Sequence, residues 1–245
     1  MFRQGVGIIF YEINSFNNET FFLVFMFYLI GLGLNEKGYS REAYDAVMDS
    51  EKIYFDNYTV EFPYKIKNLE KQFPKKKFIP ANREFVESLE ILSEAKKEKV
   101  ALLVYGSPLT ATTHITLIDE AKKRKIKTKI ILGTSVFDAV AETGLQIYKF
   151  GKIASMPNFE AESFIEIVKE NLKINAHSLI LIDIGMKFEN AIERLDKILS
   201  KNKIAVEKIV VCSKLGTKNQ EIFYNDFSAL KKKKVEAPFC FIICT

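Results

Sequence analysis

Short apolar runs alternate with segments of helical periodicity through the first half of the chain. Apolar runs bounded by glycine, proline or polar residues predict strands over 27–30, 52–56, 77–79, 100–105 and 128–132. Apolar residues that recur every three or four positions predict helices after Ser40 and over 64–73, 82–97, 115–123 and 136–146. Continuous apolar strands that alternate with helices are typical of sheets covered on both faces. The first half therefore predicts a parallel sheet with crossover helices.

The second half repeats this alternation with different spacing. The predicted strands are 152–156, 178–184, 208–212 and 239–244, the helices are 163–172 and 188–201, and strand and turn mix over 221–230. A domain boundary is predicted between residues 132 and 133, where the fifth strand ends at a glycine. The predicted fold class is α/β, with one α/β domain over 26–132 and a second over 133–245.

The segment 21–30, FFLVFMFYLI, is strongly apolar. It is too short to span a bilayer, which takes about 20 residues. No basic region stands directly before it and no small-residue cleavage site follows it, so we expect no signal peptide. We interpret its second half as the first buried strand and expect no membrane partner. A membrane tether is the less favoured alternative.

The composition indicates a globular protein with a large core, since 48% of the 245 residues are hydrophobic. The net charge of +5 comes largely from lysine-rich surface segments. The runs 75–77 and 231–234 have few interleaved aromatic residues or arginines, so we interpret them as solvated loops and expect no nucleic-acid partner. Three cysteines in apolar runs indicate buried free thiols in a reducing cytoplasm. Only two histidines are present, and we expect no metal site.

The segment 100–114, VALLVYGSPLTATTH, joins a buried strand to a helix through a tight loop. Thr110, Thr112 and Thr113 are expected to cap that helix. Ligands in open α/β sheets bind at the carboxyl ends of strands, where loops of this kind build the site. We therefore expect the loop, and Gly106 in particular, to lie beside a ligand.

A second loop of interest is the turn 31–34, GLGL, which follows the first strand. A dinucleotide-binding fingerprint needs a further glycine where the chain has Glu36, so NAD is not predicted. The turn can still bring the backbone close to a ligand, because glycine has no Cβ atom. Ser40 and Ser135 stand where helix caps are expected.

Four segments, taken together and in order, carry a resemblance to a known family. Residues 106–114 read G-S-P-L-T-A-T-T-H, residues 27–34 form a strand and glycine turn, residues 135–152 contain TGLQ and YKFGK, and residues 179–184 read LILIDI. These segments resemble those of the archaeal and eukaryotic diphthine synthases, where the first block reads G-D-P-x-x-A-T-T-H. That family belongs to the tetrapyrrole-methylase-like class of S-adenosylmethionine-dependent methyltransferases.

The resemblance implies two α/β domains with S-adenosylmethionine in the cleft between them. It implies N-methylation of the modified histidine of translation elongation factor 2 in diphthamide biosynthesis, by a homodimer. Residues 1–25 have no counterpart in the family and are interpreted as an N-terminal extension, so we expect a chain that begins at Met26 to fold. The cofactor contacts implied by matching positions are Leu34, Ser107, Thr110, Ser135, Val136, Ile182, Leu215 and Cys240.

Four positions depart from the family's pattern. The family's loop aspartate is Ser107, and the lysine that follows its Asp-Ile is Gly185. Its Arg-Ala-Gly turn is Lys-Leu-Gly at 214–216, and the histidine before its last strand is Phe239. These departures bear on cofactor affinity and substrate placement, and not on the fold.

No acid–base pair is evident, and methyl transfer from a sulfonium does not require one, so the sequence identifies no catalytic residue. We interpret His114 as structural rather than as a base, and Asp183 either caps a loop or touches substrate. One alternative is a methyltransferase of the same class that acts on a tetrapyrrole or on ribosomal RNA. Another is a non-catalytic cofactor-binding relative. The Ala-Thr-Thr-His and Thr-Gly-Leu-Gln blocks favour a diphthine synthase.

Overall fold

Residues 25–245 are described by the structure, a computed structural model in which two five-stranded sheets follow each other along the chain. The first sheet contains β1 (Met26–Gly31), β2 (Lys52–Asp56), β3 (Phe78–Ala81), β4 (Val100–Val104) and β5 (Lys127–Ile131). Its order is β3-β2-β4-β1-β5 and all neighbouring strands are parallel, which confirms the prediction. Its helices are α1 (Arg41–Asp49), α2 (Ile66–Glu70), α3 (Arg83–Glu87), α4 (Glu90–Glu94) and α5 (Ile115–Lys123).

The second sheet is mixed. Its strands are β6 (Ala154–Met156), β7 (Ser178–Ile182), β8 (Ile209–Ser213), β9 (Glu221–Asn225) and β10 (Phe239–Ile243), in the order β6-β7-β10-β8-β9. Strands β6 and β7 are parallel, and the other neighbouring pairs are antiparallel. The helices of this half are α6 (Val136–Ala139), α7 (Ser163–Lys173), α8 (Phe188–Lys201) and α9 (Phe227–Leu230). The two sheets fall on either side of residues 132 and 133, and the domain boundary there stays a prediction.

The first sheet is buried on both faces because its strands are apolar on both sides. On one face, Phe27 and Leu29 of β1 pack in a cluster with α4 and α5. On the other face, Tyr28 and Ile30 pack with α1 and α2. The central strand β4 is buried over its whole length. Burial of each large aliphatic side chain contributes roughly 1.5–3 kcal/mol, so this strand anchors the sheet.

The second sheet is covered differently on its two faces. One face packs against α7, α8 and α9 around Phe241 of β10. The opposite face carries Cys212 and Cys240, which belong to a cluster with Val140 and Leu34. Leu34 follows β1 of the first sheet, so the cluster that contains Leu34 and the two cysteines joins the two sheets.

The predicted single helix over 82–97 is wrong. The segment forms α3 and α4, which are separated at Leu89, where φ is 65°. A residue in the left-handed region turns the backbone out of the helical path. Val86 and Leu92 are nevertheless both buried, so each of the two short helices packs an apolar side chain into the core. The helix predicted over 136–146 is also shorter, because α6 passes into a 3₁₀ turn (Val140–Thr143).

The third strand does not end at Pro80 as predicted, because β3 extends one residue beyond it. Strand β3 lies at the edge of the sheet and pairs with β2 alone. A residue without an N–H group is tolerated in an edge strand. The predicted helix caps at Ser40 and Ser135 are confirmed, since each side-chain oxygen accepts a hydrogen bond from a backbone N–H of the first turn.

The predicted N-terminal extension lies outside the described residues except for Phe25. Strand β1 begins at Met26, in the second half of the apolar segment 21–30, as expected. Within residues 25–245, the structure contains no helix of the length and hydrophobicity that crossing a bilayer requires.

The ends of β1, β4 and β5 meet with no side chain between them. Gly33 and Gly106 pair through their backbones, with N–H to carbonyl distances between heavy atoms of 3.1 and 2.9 Å. A Cβ atom added to Gly133, just beyond β5, would lie 2.5 Å from the Gly106 carbonyl oxygen and 2.7 Å from the Gly33 nitrogen. Both neighbours are backbone atoms that cannot rotate away, so the three strand ends meet only if residue 133 is glycine.

Gly133→Ala is expected to lower the free energy of unfolding by about 1–3 kcal/mol, because the added methyl group pushes packed backbone segments apart. Gly38→Ala is the matched control, since the nearest neighbour of its added Cβ would be at 3.4 Å. We expect the control to change stability by less than about 0.5 kcal/mol. Urea unfolding of both variants measures the difference, and equal stabilities would contradict the close approach.

Candidate functional site

A cavity of about 570 Å³ lies between the carboxyl ends of the first sheet's strands and one face of the second sheet. Loops after β1, β2, β4 and β5 form one wall, and residues of β6, β7, β8 and β10 form the other. Parallel strands end at the same edge of a sheet, which is where ligands bind in open α/β proteins. The predicted cleft between two α/β units is therefore confirmed.

All residues predicted to contact the cofactor line this one cavity. They come from both halves of the chain, and they are Leu34, Ser107, Thr110, Ser135, Val136, Ile182, Leu215 and Cys240. Gly106 lines it as well, as expected, whereas Gly31 and Gly33 are not among the lining residues. Those two glycines belong to the backbone contact between the strand ends. What the lining residues bind stays a prediction.

Tyr105 fixes the part of the wall that Leu34 contributes. Its hydroxyl donates a hydrogen bond to the Leu34 carbonyl oxygen at 3.1 Å. Burial raises the pKa of the Tyr105 hydroxyl, so this group stays protonated and keeps donating at neutral pH. Tyr105 follows β4 and Leu34 follows β1, so the bond reinforces the backbone pairing of Gly33 with Gly106.

Ser135 lines the cavity, yet its side chain is committed to starting α6. Its Oγ atom accepts from the Phe137 N–H at 3.1 Å and donates to the Asp138 carboxylate at 3.0 Å. Asp138 in turn accepts from the Ser135 N–H at 2.7 Å, which completes a reciprocal cap. Ser135 therefore offers a ligand the fixed edge of a helix start rather than a free hydroxyl.

A row of side chains across the second sheet forms the opposite wall. Ser155 lies opposite Leu181, Leu181 opposite Cys240, and Cys240 opposite Cys212, and all four line the cavity. The hydrogen bond to Cys212 and burial raise the pKa of the Cys240 thiol well above its usual value, so this wall is uncharged at Cys240. All three cysteines are free, as predicted, although Cys244 is only partly buried.

The turn 214–216 closes the cavity beside Leu34. A Cβ atom added to Gly216 would lie 2.8 Å from the Leu34 Cβ atom. The Asn35 side-chain amide donates to the Gly216 carbonyl oxygen at 2.8 Å, which ties the turn after β1 to the turn after β8. Lys214 forms an ion pair with Glu236. The turn therefore holds Leu215 in the wall through contacts made by its neighbours.

His114 is a buried residue behind the loop 106–114 and not part of the cavity wall. It is 1% exposed, and its Nδ1 atom lies 3.1 Å from the Pro108 carbonyl oxygen. Its Nε2 atom lies 3.2 Å from the Asp56 carboxylate and 3.3 Å from the Tyr58 hydroxyl. Both ring nitrogens are thus engaged, which agrees with the structural interpretation of this histidine.

Asp56 ends β2 and holds the loop that follows it. Its carboxylate accepts hydrogen bonds from the N–H groups of Tyr58 and Thr59 and from the Thr59 hydroxyl. Residues 59–61 line the cavity. The Asp56–His114 pair therefore joins two wall loops, one after β2 and one after β4. Residues 59–61 were not predicted as wall residues, and their only signal in the sequence is their place beyond the carboxyl end of a predicted strand.

The prediction that loop threonines cap α5 is wrong. The residue at the start of that helix is His114, and no side chain caps it. The Thr112 hydroxyl instead donates to the Pro108 carbonyl oxygen at 2.8 Å, inside the loop, and Thr110 lines the cavity. The Thr112 hydroxyl thus satisfies a loop carbonyl group that has no partner in a sheet.

Asp183 caps the loop that follows β7. One carboxylate oxygen accepts from the Ile184 N–H at 3.0 Å, and the other accepts from the Asn158 N–H at 3.1 Å. Asp183 also lines the cavity. Of the two roles considered for it, the hydrogen bonds favour loop capping, with the residue still at the wall.

The wall combines apolar side chains, exposed backbone, a few hydroxyl groups and the charged residues Glu61, Asp183 and Lys214. Such a lining suits a small molecule with both apolar and polar parts, held by shape and a few directional hydrogen bonds. Residues 25–245 contain no group of three or more histidine, cysteine, aspartate or glutamate side chains that could hold a metal ion. What these residues can supply is position and exclusion of water around a reacting centre.

Comparisons with known proteins agree with this geometry. The family profile of Tetrapyrrole (Corrin/Porphyrin) Methylases matches residues 26–231. A diphthine synthase of Staphylothermus marinus is 36% identical over 87% of this chain and 85% of its own length. A diphthine methyl ester synthase of Schizosaccharomyces pombe is 40% identical over 66% of this chain, but only 59% of its own length. A crystal structure of diphthine synthase has a TM-score of 0.82 at 28% identity, covering 90% of both chains.

His114→Leu is expected to lower the free energy of unfolding by about 3 kcal/mol, because it leaves the buried Asp56 carboxylate without one of its partners. The matched control is Arg41→Ala, which removes an exposed ion pair with Asp45 and should cost less than about 1 kcal/mol. Urea unfolding measures both values. A His114 variant as stable as the control would show that the buried pair does not hold the two loops together.

Proposed function

The chain belongs to the tetrapyrrole methylase family and, within it, to the diphthine synthases of diphthamide biosynthesis, and we propose how its cavity serves that activity. As a member it is a methyltransferase. In the proposal, S-adenosylmethionine is the methyl donor and binds in the cavity between the two sheets. The acceptor is the amino group on the modified histidine of translation elongation factor 2.

The observation that carries this proposal is the convergence of the predicted contacts. Residues far apart in the chain, picked out by resemblance to a cofactor-binding family, line one cavity. Its volume of about 570 Å³ falls in the range of roughly 300–1,000 Å³ that small-molecule sites occupy. The proposed cofactor contacts are therefore Leu34, Ser107, Thr110, Ser135, Val136, Ile182, Leu215 and Cys240.

S-adenosylmethionine, when bound, supplies a methyl group already activated by its sulfonium. The chain's part is to hold the two reacting groups in line. Rigid backbone at Leu34 and Ser135 sets one side of the cofactor's position, and the uncharged row with Leu181 and Cys240 sets the other. Apolar walls keep water from the reacting centre, and orientation of the two reactants can lower the barrier by roughly 7–11 kcal/mol.

The test has a binding arm and a turnover arm. Calorimetry with S-adenosylmethionine or S-adenosylhomocysteine is expected to give one site per chain, and NADH is expected to give no comparable heat. Incubation with labelled S-adenosylmethionine is expected to label elongation factor 2 that carries the unmethylated modified histidine. No heat at millimolar cofactor would refute the cavity's assignment, and binding without labelling would refute the protein substrate.

The position of the added methyl group is also measurable. The S. pombe relative is named a methyl ester synthase, but the alignment covers only 59% of that protein, against 85% of the S. marinus diphthine synthase. We therefore retain N-methylation for this chain. Mild alkali hydrolyses methyl esters and leaves N-methyl groups in place, so label that survives alkali is expected.

We also propose a homodimer in the cytoplasm, with neither a membrane nor a nucleic acid as partner. The dimer rests on the resemblance to the family, and the location rests on where a translation factor is found. Sedimentation equilibrium should give twice the mass of the chain. A tetrapyrrole or ribosomal RNA acceptor, or a non-catalytic role, would show as cofactor binding without transfer to elongation factor 2.

Ser107→Asp is expected to bind S-adenosylmethionine a few-fold more tightly. The cofactor carries an ammonium and a sulfonium, and Ser107 lines the cavity where the family has an aspartate. Hydrogen bonds to charged groups contribute roughly 1.5–3 kcal/mol, against about 1 kcal/mol for neutral ones. A gain of about 1 kcal/mol is about five-fold in affinity, and it should shrink at high salt.

Ser107→Asn is the control for this prediction, because it has the size of aspartate without the charge. It should not tighten binding. Calorimetry at low and high salt compares the three proteins. Equal or weaker binding of the aspartate variant at low salt would place the cofactor's cationic groups away from residue 107.

A further inference from the structure

An exposed aromatic side chain lies in a loop that is hydrogen-bonded to the cavity wall. Phe159 is 70% exposed, in the loop 157–162 between β6 and α7. The preceding residue, Asn158, donates its N–H to the Asp183 carboxylate at 3.1 Å, and Asp183 lines the cavity. Phe159 therefore follows directly after a residue bonded to the wall. A second exposed apolar residue, Ile153, is 37% exposed and itself lines the cavity.

Arg194 of α8 holds the loop that carries Phe159. Its guanidinium donates to the carbonyl oxygens of Pro157 at 2.5 Å, Phe159 at 2.9 Å and Ala161 at 2.6 Å. The carbonyl groups of every second residue in this short loop thus accept hydrogen bonds from one planar guanidinium group. The backbone under Phe159 is fixed by these bonds, so the ring is presented to solvent by a rigid support.

We propose that Phe159 is the anchor on which the protein substrate docks, packing against the surface of elongation factor 2 around its modified histidine. This inference rests on the proposed function. A side chain carried by a folded protein reaches the cavity only if the surrounding protein surface covers the rim. A few residues, often aromatic, supply most of the energy in such contacts, and a preorganised support lowers the entropy lost on binding.

The test separates docking from chemistry. Phe159→Ala is expected to raise KM for elongation factor 2 about ten-fold, which is typical of an aromatic anchor, and to change kcat and the Kd of S-adenosylmethionine less than two-fold. Phe159→Tyr keeps the ring and should keep the KM of the unaltered protein. Arg194→Gln keeps the ring but frees its loop, and should raise KM as well.

Tyr224→Ala is the matched control. Tyr224 is 61% exposed, on β9 at the opposite edge of the second sheet from β6, so its removal should leave KM unchanged. An unchanged Kd for S-adenosylmethionine also verifies that each variant is folded. The substitution at Phe159 leaves all the backbone bonds of its loop in place.

The outcomes distinguish this inference from the function on which it rests. If the unaltered protein does not methylate elongation factor 2, the proposed function fails and the docking surface fails with it. If it does, and Phe159→Ala has the same KM, only the docking surface is overturned. A loss of dimer in sedimentation of Phe159→Ala would show that the loop contacts a second copy of the chain, and would also overturn the inference.

Discussion

The cavity depends on one constraint, which is that three strand ends of the first sheet meet backbone to backbone. A Cβ atom on Gly133 would lie within 2.5 Å of the Gly106 carbonyl oxygen, so no side chain separates the ends of β4 and β5. The loops that leave this contact start from fixed points. The backbone contact consequently fixes where Leu34, Ser107 and Ser135 lie in the cavity wall. Their side chains form the surface of the wall and do not set its position.

The support for the two walls is of different kinds. Behind the first wall, Asp56 and His114 satisfy each other and the loop groups around them, which lets the cavity side be lined by apolar and small polar residues. The second wall needs no buried polar pair, because the backbone groups of a regular sheet form hydrogen bonds with each other. The face of that sheet carries the row of side chains that contains Cys240 and Cys212. The cavity thus lies between loops held by buried polar groups and a sheet held by its own backbone hydrogen bonds.

Much of the fold could be predicted because local pattern and tertiary structure agree. Strand β2 and helices α5 and α8 have their predicted bounds. The predicted bounds were wrong where the surrounding structure, rather than the local sequence, determines where a helix or strand ends. The left-handed Leu89 breaks a continuous periodicity, and Pro80 is tolerated only because β3 lies at an edge, which the sequence of β3 does not specify.

The site was predictable to a different degree. Glycine and hydroxyl residues at strand ends indicated the first wall, but Ile182, Leu215 and Cys240 have types that are equally common in cores. Only resemblance pointed to them, and only the register of β7 and β10 explains why Cys240 belongs to the wall. Residues 59–61 were missed because they carry no motif, and their place depends on the buried Asp56–His114 pair.

The residues that surround each departure from the family's pattern determine its effect on the site. Phe239 is 8% exposed and packs edge to face on Phe188 at 5.5 Å, so the chain fills that position with core. Lys214 keeps the positive charge of the family's arginine and pairs it with Glu236. Both changes are absorbed by surrounding residues. Two cavity-lining departures, Ser107 and Gly185, then remove a charge without replacement. The expected effect of Ser107 on the cofactor, about five-fold in affinity, is too small to support a non-catalytic relative.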